Sequence, residues 1–276
     1  MAKKTKNKIE IIGRDKESEV IRKTLSLHRN LLVEGPVGVG KTFLIQELLS
    51  QMGRSFFRVD GDTRYTEQKL TGWFDPPMVL KKGYVKECFV DGPLVEAMRN
   101  GDVLFVNELN RMPEAVQNIL LPAMDEKKIS IPKIGSIEAK EGFCVVATQN
   151  PKEFTATHAL SEALLDRFEM MTLDYQTQEE ELEILQTQVS ETSKSVALRA
   201  LDLVRATRKH SSIKRGASVR AAIAICKLVT TDMSFEEAVS IALPSRIELV
   251  SNEEKVEDVI DDMLKQSIYS GDQKKK

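Results

Sequence analysis

The chain has 276 residues, with 40 Lys and Arg against 42 Asp and Glu, 41% hydrophobic and 30% charged residues, and a net charge of -2. That balance suits a soluble globular protein of one large domain or two modest ones, and it excludes a global positive field that would draw nucleic acid or an anionic membrane. The three cysteines, Cys88, Cys144 and Cys226, are odd in number and scattered, which excludes a disulfide framework or a zinc cluster and predicts buried free thiols in a reducing compartment.

Residues 1–8 read as a polar, lysine-rich arm. Met1-Ala2-Lys3-Lys4 has no apolar run behind it, so no signal peptide is expected. No stretch approaches the ~20 apolar residues that span a bilayer. A cytoplasmic protein without a membrane partner is the expectation.

Asn30 to Glu34 predicts a short strand that enters a glycine loop. Lys41 to Met52 predicts a helix with Leu44, Leu48 and Met52 on one face. Between them, Gly35-Pro36-Val37-Gly38-Val39-Gly40-Lys41-Thr42 fits the pattern G-x-x-x-x-G-K-[ST]. Glycines let successive backbone N–H groups turn inward around phosphate oxygens, and the following helix aims its positive end at the same place. In such a loop Lys41 reaches the β- and γ-phosphates and the Thr42 hydroxyl ligates Mg2+, so ATP with magnesium is the expected ligand.

Val103 to Val106 is a continuous apolar run, the mark of a strand covered on both faces, and it ends in Asn107-Glu108. Glu108 is the candidate base that polarises water for attack on the γ-phosphate. Asn107 stands where a metal-side aspartate is usual; its amide can hydrogen-bond a metal-bound water but brings no negative charge. Pro113 to Glu126 predicts a helix with proline at its first position, and Pro122 inside it predicts a kink or an early end. Phe143 to Thr148 is another buried strand, leading into Ala147-Thr148-Gln149-Asn150-Pro151. Asn150 at that tip would sense the γ-phosphate or orient the water, against the plainer reading of a turn before proline. This alternation argues for a parallel sheet flanked by helices.

After about Asp174 the pattern changes. Thr177-Gln178-Glu179-Glu180, Ser234-Phe235-Glu236-Glu237 and Ser251-Asn252-Glu253-Glu254 read as capping boxes before helical runs. They predict a small all-helical domain, and Gln273 to Lys276 a polar tail. The basic cluster Lys209, His210, Lys214 and Arg215 reads as a solvated surface, so nucleic acid is not an expected partner.

Taken together, these strand tips resemble an AAA+ ATPase, specifically of the MoxR type, from about Ile11 to Ile247. The resemblance rests on Gly92-Pro93-Leu94, Gly101-Asp102, Asn107-Glu108-Leu109-Asn110-Arg111, Ala147 to Pro151 and Ser161-Glu162-Ala163-Leu164-Leu165-Asp166-Arg167-Phe168. It implies a P-loop α/β core at 1–174, a helical lid at 175–268 and a polar tail at 269–276. It further implies that Ile12-Gly13-Arg14 packs near the adenine, and that Arg167 is an arginine finger for a neighbouring subunit's site. Gly216-Ala217-Ser218-Val219-Arg220 matches the second sensor, with Ser218 capping the lid helix and Arg220 facing the nucleotide. Arg111 is a weaker candidate for the subunit interface.

Two insertions belong to the resemblance. Gly72 to Asp91 contains Trp73, Phe74 and the alternating run Tyr84 to Val90, which suits a strand. Lys128 to Glu141 would be a hairpin with Ile129, Ile131, Ile134 and Ile137 as its apolar residues. Trp73 and Phe74 either grip a client or pack the hairpin base. A homo-oligomeric ring, expected as a hexamer, is implied, acting as a chaperone-like activator of a client protein, often one with a von Willebrand factor A domain. Asn107 keeps a second reading open, a nucleotide-gated assembly module with little turnover. A small-molecule kinase using the same loop is the third, disfavoured by Arg167 and Arg220.

Overall fold

The computed structural model describes residues 10–150, 157–251 and 253–273, with side chains as far as Lys265. The expected arm at 1–8, Pro151, Asn252 and residues 274–276 lie outside the described residues. By compactness the chain divides into Met1–Pro36 with Gly40–Asp174, and Val37–Val39 with Tyr175–Lys276.

In the first unit, α1 (Asp15–Ser26) precedes β1 (Leu31–Glu34), α2 (Lys41–Gln51) and β2 (Phe56–Asp60). Next come α3 (Glu67–Thr71), β3 (Gly72–Phe74), α4 (Pro76–Lys82), β4 (Phe89–Asp91), α5 (Pro93–Asn100) and β5 (Val103–Asn107). They are followed by α6 (Glu114–Asn118), α7 (Leu120–Asp125), β6 (Lys128–Ile131), β7 (Gly135–Glu138), β8 (Cys144–Gln149), α8 (Glu162–Leu165) and β9 (Glu169–Thr172).

Among the described residues a five-stranded sheet runs β2-β5-β8-β1-β9, with every neighbour parallel. Parallel strands need crossovers, and helices from both sides cover the sheet. That is why β8 is buried at every position and β5 at all but its last. Leu94, Met98, Leu104, Val106, Leu120, Phe143 and Val145 fill one continuous apolar core.

The expected helix over Pro113–Glu126 is two helices. Pro113 has ψ 145° and caps α6 from outside rather than opening it from within, and the break falls at Ile119. Pro122 has no N–H to bond the Asn118 carbonyl four residues back, so α6 ends there. The insertion at 72–91 also differs from expectation. Only Phe89–Asp91 pairs as a strand, with Gly72–Phe74, while Lys86–Cys88 is a single 3-10 turn. Tyr84 leaves strand geometry to meet the Phe74 ring edge-on at 5.2 Å, beneath the Lys133 ammonium at 3.9 Å. β6 and β7 form the expected hairpin, and Ile129, Ile131, Ile134 and Ile137 are all buried.

The second unit contains α9 (Gln178–Gln188), α10 (Lys194–Thr207), β10 (Ile213–Arg215), α11 (Val219–Val229), α12 (Phe235–Ala242), β11 (Glu248–Leu249) and α13 (Val256–Gln273). Thr177 and Ser234 make complete capping boxes with Glu180 and Glu237. Ser251 does not cap a helix: its hydroxyl accepts from Glu253 N two residues on, and α13 starts only at Val256. A short Ser turn takes the bond that a helix cap would have used. The unit is also not wholly helical, because β10 and β11 pair as an antiparallel ribbon. α13 runs on to Gln273, past the expected end at 268, since a formed helix gains a backbone bond for each added residue. Among the described residues no helix is long and apolar enough to cross a membrane.

Candidate active site

The parallel register aligns the strand tips. Val33 lies beside Thr148, Val106 beside Ala147, and Asp60 beside Asn107. Asp60, Asn107 and Thr148 therefore form one row at the carboxyl edge of the sheet, next to the loop that leaves β1. Ligands of open α/β sheets bind at that edge.

Gly35, Gly38 and Gly40 have φ of 154°, 81° and 91°. Gly40 occupies the N-cap position of α2 in the left-handed region, where a side chain would be strained. It brings no capping side chain, so the first N–H groups of α2 present their positive end to an anion. Val37 and Gly38 carry the turn, Val37 is exposed, and Val39 is buried. Lys41 Nζ donates to the Gly35 and Pro36 carbonyls at 2.6 and 2.9 Å, folding the ammonium back over its own loop.

Thr42 Oγ1 donates to Asn107 Oδ1 at 2.6 Å, and Thr148 Oγ1 donates to the same oxygen at 3.0 Å. On its other side Asn107 Nδ2 donates to Asp60 Oδ1 at 2.9 Å. Burial pushes the Asp60 carboxyl up, but hydrogen bonds from Arg58 and Asn107 outweigh it and hold the group below its ordinary value.

Glu108 follows with φ 59° and ψ 53°, a left-handed conformation that is uncommon for a residue with a side chain and that clusters at functional sites. Two bonds hold it there. Its N–H donates to Thr148 Oγ1 at 3.0 Å, and Gly61 N donates to the preceding Asn107 carbonyl at 2.7 Å. A Cβ at Gly61 would collide with the Glu108 carbonyl. The Glu108 carboxylate accepts from Arg111 Nη1 at 3.1 Å, while Arg111 Nε is buried without a partner.

The other expected residues are more dispersed. Asn150 is buried, and its carbonyl accepts from Asn110 Nδ2 at 3.3 Å. Ile12 and Gly13 lead into α1, where Arg14 donates to Glu17 at 2.9 Å and to the Asp174 carbonyl. Arg167 donates from Nε to Asp125 at 2.6 Å and from Nη1 to the Ala163 carbonyl. Its partner is thus neither of its chain neighbours Asp166 and Glu169. Arg220 is exposed in the first turn of α11; Ser218 holds the N-cap position there but makes no side-chain capping bond. Of the basic cluster, Lys214 and Arg215 pair with Glu248. Trp73 is 46% exposed, and Phe74 packs edge-on against Phe89 at 5.2 Å.

Thr148 and Asp60 were not among the residues singled out from sequence. A hydroxyl at the end of an apolar strand was a signal for Thr148. Nothing local marked Asp60, whose role appears only when β2 pairs with β5.

Thr42 Oγ1 and Asn107 Oδ1 converge as two hard oxygen atoms, a donor set that fits magnesium, which takes oxygen ligands and retains several waters. Among the described residues no cluster of three or more His, Cys, Asp or Glu offers another cation site.

The profile of the AAA domain, dynein-related subfamily, matches residues 30–168. Gas vesicle ATPase GvpN of Haloferax mediterranei is 28% identical over 227 residues, covering 76% of this chain and 65% of that protein, so this chain spans just under two thirds of that relative. Gas vesicle ATPase GvpN2 of Halobacterium salinarum is 28% identical over 265 residues, covering 88% of this chain and 76% of that one. Among solved structures, a candidate ATPase of Cytophaga hutchinsonii is 24% identical, with a TM-score of 0.51 and coverage of 92% of this chain and 90% of that one. The K64R mutant of Thermotoga maritima RuvB is 19% identical, with a TM-score of 0.55 and coverage of 92% and 69%. At these identities the two structures speak to the fold alone.

Proposed function

The chain belongs to the dynein-related subfamily of AAA domains, as its MoxR-type motifs implied, and on that premise we propose that it is an ATPase that binds ATP with magnesium at Gly35 to Thr42 and hydrolyses it at Glu108. The observation that carries this reading is the convergence of the Thr42 and Thr148 hydroxyls on Asn107 Oδ1, with Glu108 turned left-handed beside it.

In this reading the N–H groups of the loop and the N-terminus of α2 bind the phosphates. Lys41 exchanges its two carbonyl partners for phosphate oxygens. Thr42 and Asn107 would hold the magnesium ion, which when bound neutralises charge on the β- and γ-phosphate oxygens. Glu108 accepts a proton from the attacking water, and its carboxylate must first leave Arg111. Asn150 orients that water. Ile12 and Gly13 lie against the base, and Arg220 acts as a second sensor on the strength of the resemblance. Arg167 would leave Asp125 to complete the site of a neighbouring copy in a ring, a hexamer by family likeness. Residues 1–174 would then be the nucleotide-binding core and the chain from 175 to the end of α13 the lid, in a cytoplasmic protein. The client is a partner protein, of von Willebrand factor A type on the MoxR resemblance. Relatives named as gas vesicle ATPases support a role beside a larger protein assembly.

ATP turnover by the full chain, compared with Glu108→Gln, tests the reading. Loss of the base should lower turnover by at least about 100-fold with ATP still bound. Equal turnover in the two proteins, both binding ATP, would remove the hydrolase. That outcome would favour the second reading, a nucleotide-gated assembly module, which Asn107 and the Glu108–Arg111 ion pair support.

A further inference from the structure

An amide has one accepting end and one donating end, and Asn107 works as a metal ligand only if its oxygen faces Thr42. The two hydroxyls on that side favour this orientation without fixing it. Thr42 and Thr148 each donate to Asn107 Oδ1 at 2.6 and 3.0 Å, yet a hydroxyl accepts as readily as it donates and would tolerate the reversed amide. Reversed, the amide would turn N–H groups toward the cation. The partner on the far side discriminates outright. Asp60 is a carboxylate, takes the Nδ2 end at 2.9 Å, and can do nothing but accept.

Asp60 is itself fixed. It closes β2 in register with Asn107, and Arg58 grips both its oxygens, from Nε at 3.1 Å and from Nη2 at 2.6 Å to Oδ1. The negative charge that Asn107 does not bring is therefore present one hydrogen bond away, on the neighbouring strand.

We propose that Asp60 is the positioning carboxylate of the metal end of this site: it locks the Asn107 amide with Oδ1 toward Thr42 and supplies, through that amide, the negative charge the strand tip lacks. The inference rests on the nucleotide reading above and adds to it the residue that sets the metal dependence. Partners of this kind, bonded to a ligand rather than to the metal, typically change metal affinity by about 10- to 100-fold when removed.

The test exchanges the two groups. Wild type, Asp60→Asn, Asn107→Asp and the double variant are titrated with Mg2+, following binding of a fluorescent ATP analogue and, separately, turnover. Asp60→Asn should raise the Mg2+ concentration at half-saturation about tenfold. Its nucleotide affinity in EDTA and its melting temperature, the latter to within about 2 °C, should not move. The double variant places the carboxylate at 107 and the amide at 60, and should return the Mg2+ curve to wild type or below. Asn107→Asp alone sets two carboxylates together and should gain less than it does in the Asp60→Asn background. A Mg2+ curve for Asp60→Asn that superimposes on wild type overturns the inference, and so does an effect of Asn107→Asp that is equal in both backgrounds. A wild-type protein that binds no nucleotide would instead overturn the nucleotide reading, and the inference with it.

Discussion

Thr148 Oγ1 donates to Asn107 Oδ1 at 3.0 Å, one step beyond the Val106–Ala147 pair that joins their strands. The same hydroxyl accepts the N–H of Glu108. One buried atom thus positions a candidate metal ligand and the backbone of the candidate base.

Thr148→Val keeps the shape and removes the hydroxyl. The Glu108 N–H loses its acceptor, so stability should fall by about 1–3 kcal/mol in a urea titration. Turnover should fall about tenfold or more, with ATP binding retained. Unchanged turnover would show that Glu108 does not depend on this bond.

Gly61→Ala tests the same turn from the β2 side. The added Cβ meets the Glu108 carbonyl, so backbone has to move. A loss of about 1–3 kcal/mol is expected, with turnover reduced more than ATP affinity. Wild-type turnover in this variant would mean that the Glu108 turn tolerates displacement.

Glu181 is a buried carboxylate held by two guanidinium groups, Arg205 Nη1 at 2.6 Å and Arg208 Nη2 at 2.7 Å. Arg208 also stacks on Tyr175 at 3.8 Å and donates to the Ala217 carbonyl. Glu181→Ala leaves these cations without their counter-charge. We expect a loss of about 3–5 kcal/mol, read by chemical denaturation. A loss below about 1 kcal/mol would show that solvent replaces the carboxylate.

The three cysteines are buried and free. Burial pushes the Cys226 thiol up to about 11 and raises Cys144 as well. At pH 8 only about one Cys226 thiol in a thousand is then thiolate. Native protein should react with iodoacetamide far more slowly than urea-unfolded protein. The shift has a sign for stability: a thiol kept neutral in the fold favours folding below the ordinary pKa, and that contribution fades as pH rises toward about 11. Rapid labelling of Cys226 in native protein at pH 8 would show that α11 opens.

Much of this was legible along the chain. The phosphate loop, the strand ending at Asn107-Glu108 and the capping boxes at Thr177 and Ser234 depend on residues within a few positions of each other, so local chemistry determined them. Pro122 announced the helix break for the same reason. What failed was also local reasoning: the alternation from Tyr84 to Val90 looked like a strand until Phe74 and Lys133 took Tyr84 away, and Ser251 spent its hydroxyl on a turn.

The partners of those residues belong to the tertiary structure. Parallel strands meet only through crossovers, so no spacing in the sequence sets Asp60 beside Asn107 or Thr148 beside both. Nor does any spacing turn Arg167 to Asp125 rather than to the acids next to it. The sequence by itself determined that a loop of the G-x-x-x-x-G-K-[ST] pattern is followed by a strand ending in an amide and an acid. Register across the sheet decided how that amide is oriented and where its missing charge resides, because hydrogen bonds between strands join residues that the chain keeps far apart.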